Sequence, residues 1–241
     1  MPEVYRYFGV IHPNSEVKEG DWTLEFRCFP DNCVYKRRKD NRIVKYVVGD
    51  VKLLKALPLV YTGESYFMNL VLDMAVTLDS DAYMEFRIGL PIAVQITSEK
   101  EIIITDDRGT VRKETVTSVI DKIPLTTVKY SIYGDITRGF LTRFYKARLG
   151  SWSFITEIPL NIKVYNDGGR AYTIRRIVFP STLIELFYKE GSPHVVASPL
   201  KIVIEKKYAE IKREEFEPPE GFVKVPGSGL TRKWIAIFGL S

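Results

Sequence analysis

The sequence predicts an all-β protein, an antiparallel β-sandwich or two packed β-halves with at most one or two short helices. Three observations carry that expectation. Apolar residues alternate with period two along most of the chain. Clusters of Gly, Pro, Asn and Asp interrupt the alternation at short intervals, and long helical patterns are missing. Short strands without intervening helices belong to sandwiches or barrels.

Taken in order, Val4 to Ile11, Trp22 to Phe29, Val34 to Arg38 and Ile43 to Val48 read as strands. Pro13-Asn14-Ser15 and Lys39-Asp40-Asn41 are turns. Val51 to Leu57 has the spacing of one short helix. Strands follow at Tyr66 to Leu78 and Tyr83 to Ile96, parted by Asp79-Ser80-Asp81. Ile102 to Thr105 and Thr110 to Ile120 flank the hairpin signal Asp106-Asp107-Arg108-Gly109. The second half repeats the texture at Val128 to Tyr133, Phe140 to Lys146, Ser153 to Tyr165 and Tyr172 to Phe179. Leu183 to Tyr188, Leu200 to Ile204, Tyr208 to Phe216 and Lys233 to Phe238 complete the strands, while Lys206 to Glu215 also reads as a charged helix. Asn166-Asp167-Gly168-Gly169 is a strong turn.

One echo is visible. Ile88-x-Leu90-x-Ile92-x-Val94 returns as Ile158-x-Leu160-x-Ile162-x-Val164, each with a proline, Pro91 or Pro159. Proline cannot donate to a ladder, so these strands belong on an edge or at a bulge. The echo reads either as a duplicated half giving two related sheets or as the alternation that any two buried strands share. Residues 1–241 form a single all-β domain on this reading, with a division into two halves near 121–127 left open. Residues 217–230 are a loose Pro/Gly segment before a final apolar strand.

Composition narrows the setting. The chain has 241 residues, 45% hydrophobic and 27% charged, with a net charge of +5. That is an ordinary globular composition, long enough to bury roughly 70% of its unfolded surface. A charge this mild permits an anionic partner without demanding one. The longest run without Asp, Glu, Lys or Arg is Ile88 to Ser98. It is far short of the roughly 20 apolar residues of a spanning helix. Met1 to Arg6 lacks a basic region followed by an apolar core, so no secretory leader and a cytoplasmic location are expected. Gln95 is the only glutamine, beside abundant Lys, Arg, Glu, Ile and Val, a pattern of thermophile proteins.

Two cysteines exclude a disulfide scaffold and a Cys-only zinc site. Cys28 and Cys33 flank Phe29-Pro30-Asp31-Asn32, a tight turn that brings the sulfurs within disulfide reach. A structural disulfide, two free thiols and a redox or metal role all remain open at this point.

Catalytic signatures are scarce. There is no Gly-x-Ser-x-Gly, no Gly-x-Gly-x-x-Gly after a strand, no phosphate loop and no His-Glu-x-x-His. Any His-dependent system would have to use His12 or His194, both beside turn residues. Asp79, Asp81 and Glu85 hold oxygens for a hard cation, or serve as turn chemistry. No cofactor or metal is expected. Basic residues form two groups. One is Lys36-Arg37-Arg38-Lys39 with Arg42 and Lys45, where alternation sends Lys36 and Arg38 to one face and Arg37 to the other. The second is Arg138, Arg143, Lys146 and Arg148 with Arg170, Arg175 and Arg176, interleaved with aromatics. Arginine beside exposed aromatics is how a single-strand nucleic-acid platform is built, and also how a solvated sheet face looks.

Lys129 to Lys146 is the most distinctive stretch. Gly134 and Gly139 bracket a short loop carrying Asp135 and Arg138. Beyond it, Phe140, Thr142, Phe144 and Lys146 share one face, and Leu141, Arg143 and Tyr145 the other. An arginine sharing a face with Leu and Tyr points inward and must find a carboxylate, carbonyl or anion. The candidate binding residues are Tyr133, Asp135, Arg138, Arg143, Tyr145 and Lys146.

Tyr130-x-x-Tyr133-Gly134, Gly139 and Arg143-Phe144-Tyr145-Lys146 together resemble the archaeal domain-of-unknown-function family 432. Glu85-Phe86-Arg87-Ile88-Gly89-Leu90-Pro91, Arg176 to Pro180, Glu217 to Gly221 and Val34-Tyr35-Lys36-Arg37 are similar to it as well. The family name carries no activity, so no catalytic residue is transferred. The resemblance implies an association with small mechanosensitive membrane channels, which nothing in the spacing or composition shows.

Three functional classes therefore stand. The leading one is a non-catalytic binding or interaction module, regulatory in role and linked to a protein partner. The others are a nucleic-acid-binding β protein and a carboxylate-based enzyme acting on carbohydrate. Exposed sheet edges in so β-rich a chain also fit a homodimer.

Overall fold

The computed structural model describes residues 6–49, 51, 53–105, 107, 111–135, 137–237 and 240. The first strands are β1 (Gly9–Ile11), β2 (Ser15–Glu19), β3 (Trp22–Cys28), β4 (Cys33–Lys39), β5 (Arg42–Gly49) and β6 (Leu54–Leu59). Four long strands follow: β7 (Phe67–Leu78), β8 (Tyr83–Pro91), β9 (Ala93–Thr105) and β10 (Val111–Pro124). Next come β11 (Lys129–Tyr133), β12 (Phe140–Ala147), β13 (Glu157–Asn166), β14 (Tyr172–Pro180), β15 (Leu186–Lys189) and β16 (Val195–Ala197). β17 (Leu200–Ile204), β18 (Ala209–Arg213), β19 (Phe222–Lys224) and β20 (Lys233–Ala236) complete the order, with a 3-10 turn at Ser181–Leu183. Among the described residues there is no α-helix, and none is long and apolar enough to cross a membrane.

The strands form five sheets, ordered β1-β6-β9-β10, β11-β12-β7-β14, β20-β18-β17-β13-β8, β16-β15-β19 and β2-β3-β4-β5. The all-β fold class read from the alternation is the fold of the chain. Its pairings are antiparallel except at two places, β12 with β7 and β13 with β17. Asn14, Asp40 and Asp81, in three of the expected turns, adopt positive φ, which Asn and Asp tolerate best among residues with a Cβ. The β9–β10 loop residues Asp106 and Arg108 to Thr110 lie outside the described residues.

Local pattern and structure part at a few places. Val51 to Leu57 does not form a helix. Leu54, Ala56 and Leu57 are buried in β6, which runs between β1 and β9, so pairing on both sides overrides helical spacing. Tyr83 to Ile96 is two strands, because the chain leaves one sheet at Ile92 and enters another. Lys206 to Glu215 contains strand β18 rather than a helix.

The two echoed runs are direct neighbours. Ile88 faces Leu160 and Leu90 faces Ile158 across the β8–β13 ladder, and all four are buried. The edge placement holds for β8 alone, because β13 is an interior strand with no bulge at its proline. Pro91 ends the edge strand β8, and Pro159 precedes Ile162, where pairing of β13 with β17 begins. The core around this ladder takes in Met68 and Leu70 from β7, Val94 and Ile96 from β9, and Leu24, Phe26 and Tyr35 from the β3–β4 hairpin.

The sheet β2-β3-β4-β5 is fastened at two points. Cys28 and Cys33 face each other across the hairpin and are joined by a disulfide. On the inner face, a register shift between Val119 and Asp121 in β10 accompanies a buried Asp121 carboxylate. The Tyr35 hydroxyl donates to it at 3.1 Å, and Arg37 forms an ion pair with it at 3.2 Å while lying over the Trp22 ring at 4.7 Å. Burial, then the Asp121 charge, push the Tyr35 phenol far above its ordinary range, so it stays a donor. Replacing Asp121 by Ala strands Arg37 and Tyr35 and is expected to remove about 2–4 kcal/mol of stability, with a smaller loss for Asp121→Asn. Urea unfolding of the two variants measures this, and equal losses would mean that the whole contribution comes from the carboxylate charge, since the amide keeps the shape and an acceptor oxygen.

Candidate functional site

The β11–β12 hairpin carries the six candidate binding residues, and its geometry follows from its loop. Tyr133 pairs with Phe140 at the hairpin end. Asp135 then closes the turn. One oxygen of its carboxylate accepts from the Thr137 N–H at 2.9 Å, the Thr137 hydroxyl at 2.7 Å and the Arg138 N–H at 2.8 Å. The other accepts from Arg138 Nη2 at 2.9 Å. Hydrogen bonds from Thr137 and Arg138 hold the Asp135 carboxyl well below the usual carboxylate range. Gly139 is required there, because a Cβ would lie 2.5 Å from the Asp135 carbonyl oxygen. Asp135 and Arg138 thus serve the loop itself.

Strand alternation separates the rest. Tyr133 and Lys146 lie on one face of the sheet, Arg143 and Tyr145 on the opposite one. The structure does not gather the six residues around one point. Tyr133 is fully buried, packed edge-on to Phe140 at 5.4 Å, with the Arg176 guanidinium 5.6 Å above its ring. Phe140 in turn meets Phe67 at 4.3 Å, and Phe67 meets Trp234 at 4.9 Å. The aromatics that interleave with arginine here form a packed cluster joining two sheets. Lys146 is exposed.

Arg143 points inward, as its shared face with Leu141 and Tyr145 requires, and is fully buried. Nη1 donates to the Tyr61 carbonyl, and Nη2 donates to the Thr126 hydroxyl at 2.6 Å. Nε has no acceptor. Burial lowers its pKa to about 10, so the side chain is still charged at neutral pH. Its neighbour on the same face, Tyr145, donates to the buried Glu157 carboxylate at 2.6 Å. Glu157 also accepts from the Ser153 N–H and lies 3.6 Å from Arg148. Gly89 makes room for it, since a Cβ there would come within 2.7 Å of Glu157 Oε1.

A second buried carboxyl escaped the sequence analysis. Glu19 ends β2, a strand of Ser, Glu, Val, Lys and Glu with little apolar signal. It is fully buried, and Oε1 accepts from the Tyr7 N–H at 3.0 Å while Oε2 has no partner. Burial pushes its pKa up to about 9, against the opposing pull of the Tyr7 hydrogen bond and of Arg6. Glu19 is therefore protonated at neutral pH. Arg6 is itself buried and donates to the carbonyls of Pro193 at 2.6 Å and Glu157 at 3.2 Å.

The first basic group has the clearest surface. Cross-strand partners share a face, which puts Lys18, Arg27, Lys36, Arg38 and Lys45 on the outer face of β2-β3-β4-β5, with Glu16 and Glu25 among them. A depression of about 300 Å³ opens there, lined by Glu25, Arg27, Phe29, Val34, Lys36 and Lys45. Elsewhere the residues are ordinary. Asp81 sits at positive φ in its turn, and Glu85 accepts from the Tyr83 hydroxyl at 2.9 Å. Among the described residues no three His, Cys, Asp or Glu side chains gather as metal ligands.

Fold and site together define a β-sheet protein whose inward arginines serve the architecture and in which the outer face of β2-β3-β4-β5 is basic. The chain belongs to the family described as "Protein of unknown function (DUF432)", which it matches over residues 5–237. No curated protein and no solved structure matches it.

Glu19 generates a pH prediction. The folded chain keeps a proton that the unfolded chain releases above about pH 4.5, so this group makes stability fall as pH rises from about 4.5 to about 9. Glu19→Gln mimics the protonated form and should gain in Tm over the parent chain progressively across that window. Thermal melts at several pH values check it, and a gap that does not grow with pH would show Glu19 to be ionised in the folded state.

Proposed function

We propose that the chain is a non-catalytic interaction module that docks a protein partner along an open sheet edge. The observation that supports this is that two strands at the ends of their sheets each carry several exposed apolar residues. Ile43, Tyr46 and Val47 lie on β5, and Val111, Val116 and Val119 lie on β10. Both strands end their sheets. An edge strand presents a row of unpaired N–H and C=O groups, and proteins ordinarily blunt such edges. Long edges bearing branched and aromatic side chains suit strand addition by a partner, in which main-chain bonds give affinity and side chains give selectivity. The membrane-channel link implied by the family resemblance makes the membrane fraction the first place to look for that partner. A regulatory role follows if the partner is such a channel.

A nucleic-acid reading draws on the basic outer face of β2-β3-β4-β5. Phosphate contacts there would make affinity fall steeply with salt.

The test is a tagged pull-down from the native organism, with soluble and detergent-solubilised membrane fractions run separately, each with and without nuclease. The expected result is a stoichiometric protein partner that survives nuclease and is lost when Val47→Asp and Val116→Asp are combined. Recovery of nuclease-sensitive material alone would put the nucleic-acid reading first. A solitary chain from both fractions would sink the interaction reading.

A further inference from the structure

We infer that β5 is the strand to which an extended acidic peptide adds, extending the sheet β2-β3-β4-β5. This rests on the interaction-module reading above and specifies its partner chemistry. β5 is eight residues long and is the last strand of its sheet. Ile43 and Val47 are 62% and 69% exposed, and Lys45 lies between them on the same face. Unpaired backbone and an apolar–cation–apolar face match an incoming strand that carries an acidic residue between two apolar ones on that same face, which takes every second position along it.

Charge selects the occupant. The outer face carries five cations against two carboxylates. Glu25 is held by Arg27 and by Lys36 at 3.4 Å, and Glu16 lies 3.8 Å from Arg38. Lys45 has no carboxylate partner among the described residues, although it stands directly beside Lys36. An acidic residue opposite Lys45 relieves that like-charge neighbour pair. A second copy of this chain would instead bring two basic faces together along the shared edge. Nucleic acid is a poorer match. The face holds carboxylates among its cations, and Phe29 is the aromatic ring on its depression, whereas strand-stacking platforms need several.

The template is also pre-organised. The Cys28–Cys33 disulfide and the Asp121 contacts of Tyr35 and Arg37 hold β4, to which β5 is paired over most of its length. A rigid edge loses less freedom when a strand is added.

The experiment uses the full chain and a fluorescein-labelled Glu-Val peptide about as long as β5, with Val, Glu and Val at successive alternate positions and Thr between them. A Lys-Val peptide of equal length is the control, and binding is read by fluorescence anisotropy. Saturable binding of the Glu-Val peptide is expected, at least about tenfold weaker in Lys45→Glu and unchanged in Lys207→Glu, an exposed lysine outside both edge strands. Lys45 is on the surface, and circular dichroism verifies that the variant is folded. Two N-methylated peptides separate strand pairing from charge attraction. Methylation of one alternate set of amides should abolish binding and of the other should spare it, because only one set faces the edge. Equal binding of both methylated forms, equal binding of the Lys-Val peptide, or no saturable binding would each overturn the assignment. So would displacement of the peptide by oligothymidylate that binds more tightly. If the peptide fails while the partner is still captured from the native organism by Lys45→Glu, β5 is excluded and the interaction reading stands. If partner capture fails as well, both fall.

Discussion

With no α-helix among the described residues, the buried backbone is satisfied mainly by pairing each strand with another. Every buried N–H and C=O must find a partner, and here most of the partners lie across ladders. The β8–β13 ladder is the centre of that arrangement, with Ile88, Leu90, Ile158 and Leu160 buried on its inner face. β13 also carries β17, and through β17 and β18 the sheet reaches β20 at the C-terminal end. Pairing that satisfies the interior also creates edges, because each open sheet must stop somewhere. The chain sets Pro91 at the end of an edge strand and Pro159 ahead of the pairing of β13 with β17, and it leaves β5 and β10 as the ends of their sheets.

Inward-facing cations show a second regularity. Arg6, Arg37 and Arg143 are each drawn into the interior, and each is held by a different device. Arg6 uses backbone carbonyls and aromatic rings, Arg37 a carboxylate and an indole, Arg143 a carbonyl and a hydroxyl. Guanidinium is the cation best suited to this, since it is planar and weakly hydrated. The lysines of the same regions stay outside, where Lys36 and Lys45 line a surface depression.

Much of the fold was legible because period-two alternation is a local signal. The strands from Phe67 to Leu78 and from Tyr172 to Pro180 are nearly those that the alternation marks. Alternation also placed Arg143 inward and parted Lys36 and Arg38 from Arg37, and the structure shows the first two on the outer face. What it could not supply was partner choice. β6 has helical spacing and becomes a strand because β1 and β9 flank it. β2 is polar and becomes a strand because β3 pairs with it, and that is why Glu19 went unnoticed. Tyr7 and Arg6, which define its surroundings, come from another segment. The candidate residues of the β11–β12 hairpin were close in sequence, yet the pleat sends them to opposite faces.

The order of synthesis meets an obstacle in the two parallel pairings. β7 waits for β12, and β8 waits for β13, which in turn pairs in parallel with β17. At about 5–20 residues per second, a nascent chain presents the apolar side chains of β7 and β8 for roughly 3–15 s before their partners leave the ribosome. Met68, Leu70, Ile88 and Leu90 are then without the cover they have in the finished protein. Holding factors that shield newly made chains have their window of greatest use there, and crowding of polysomes sets the hazard they offset.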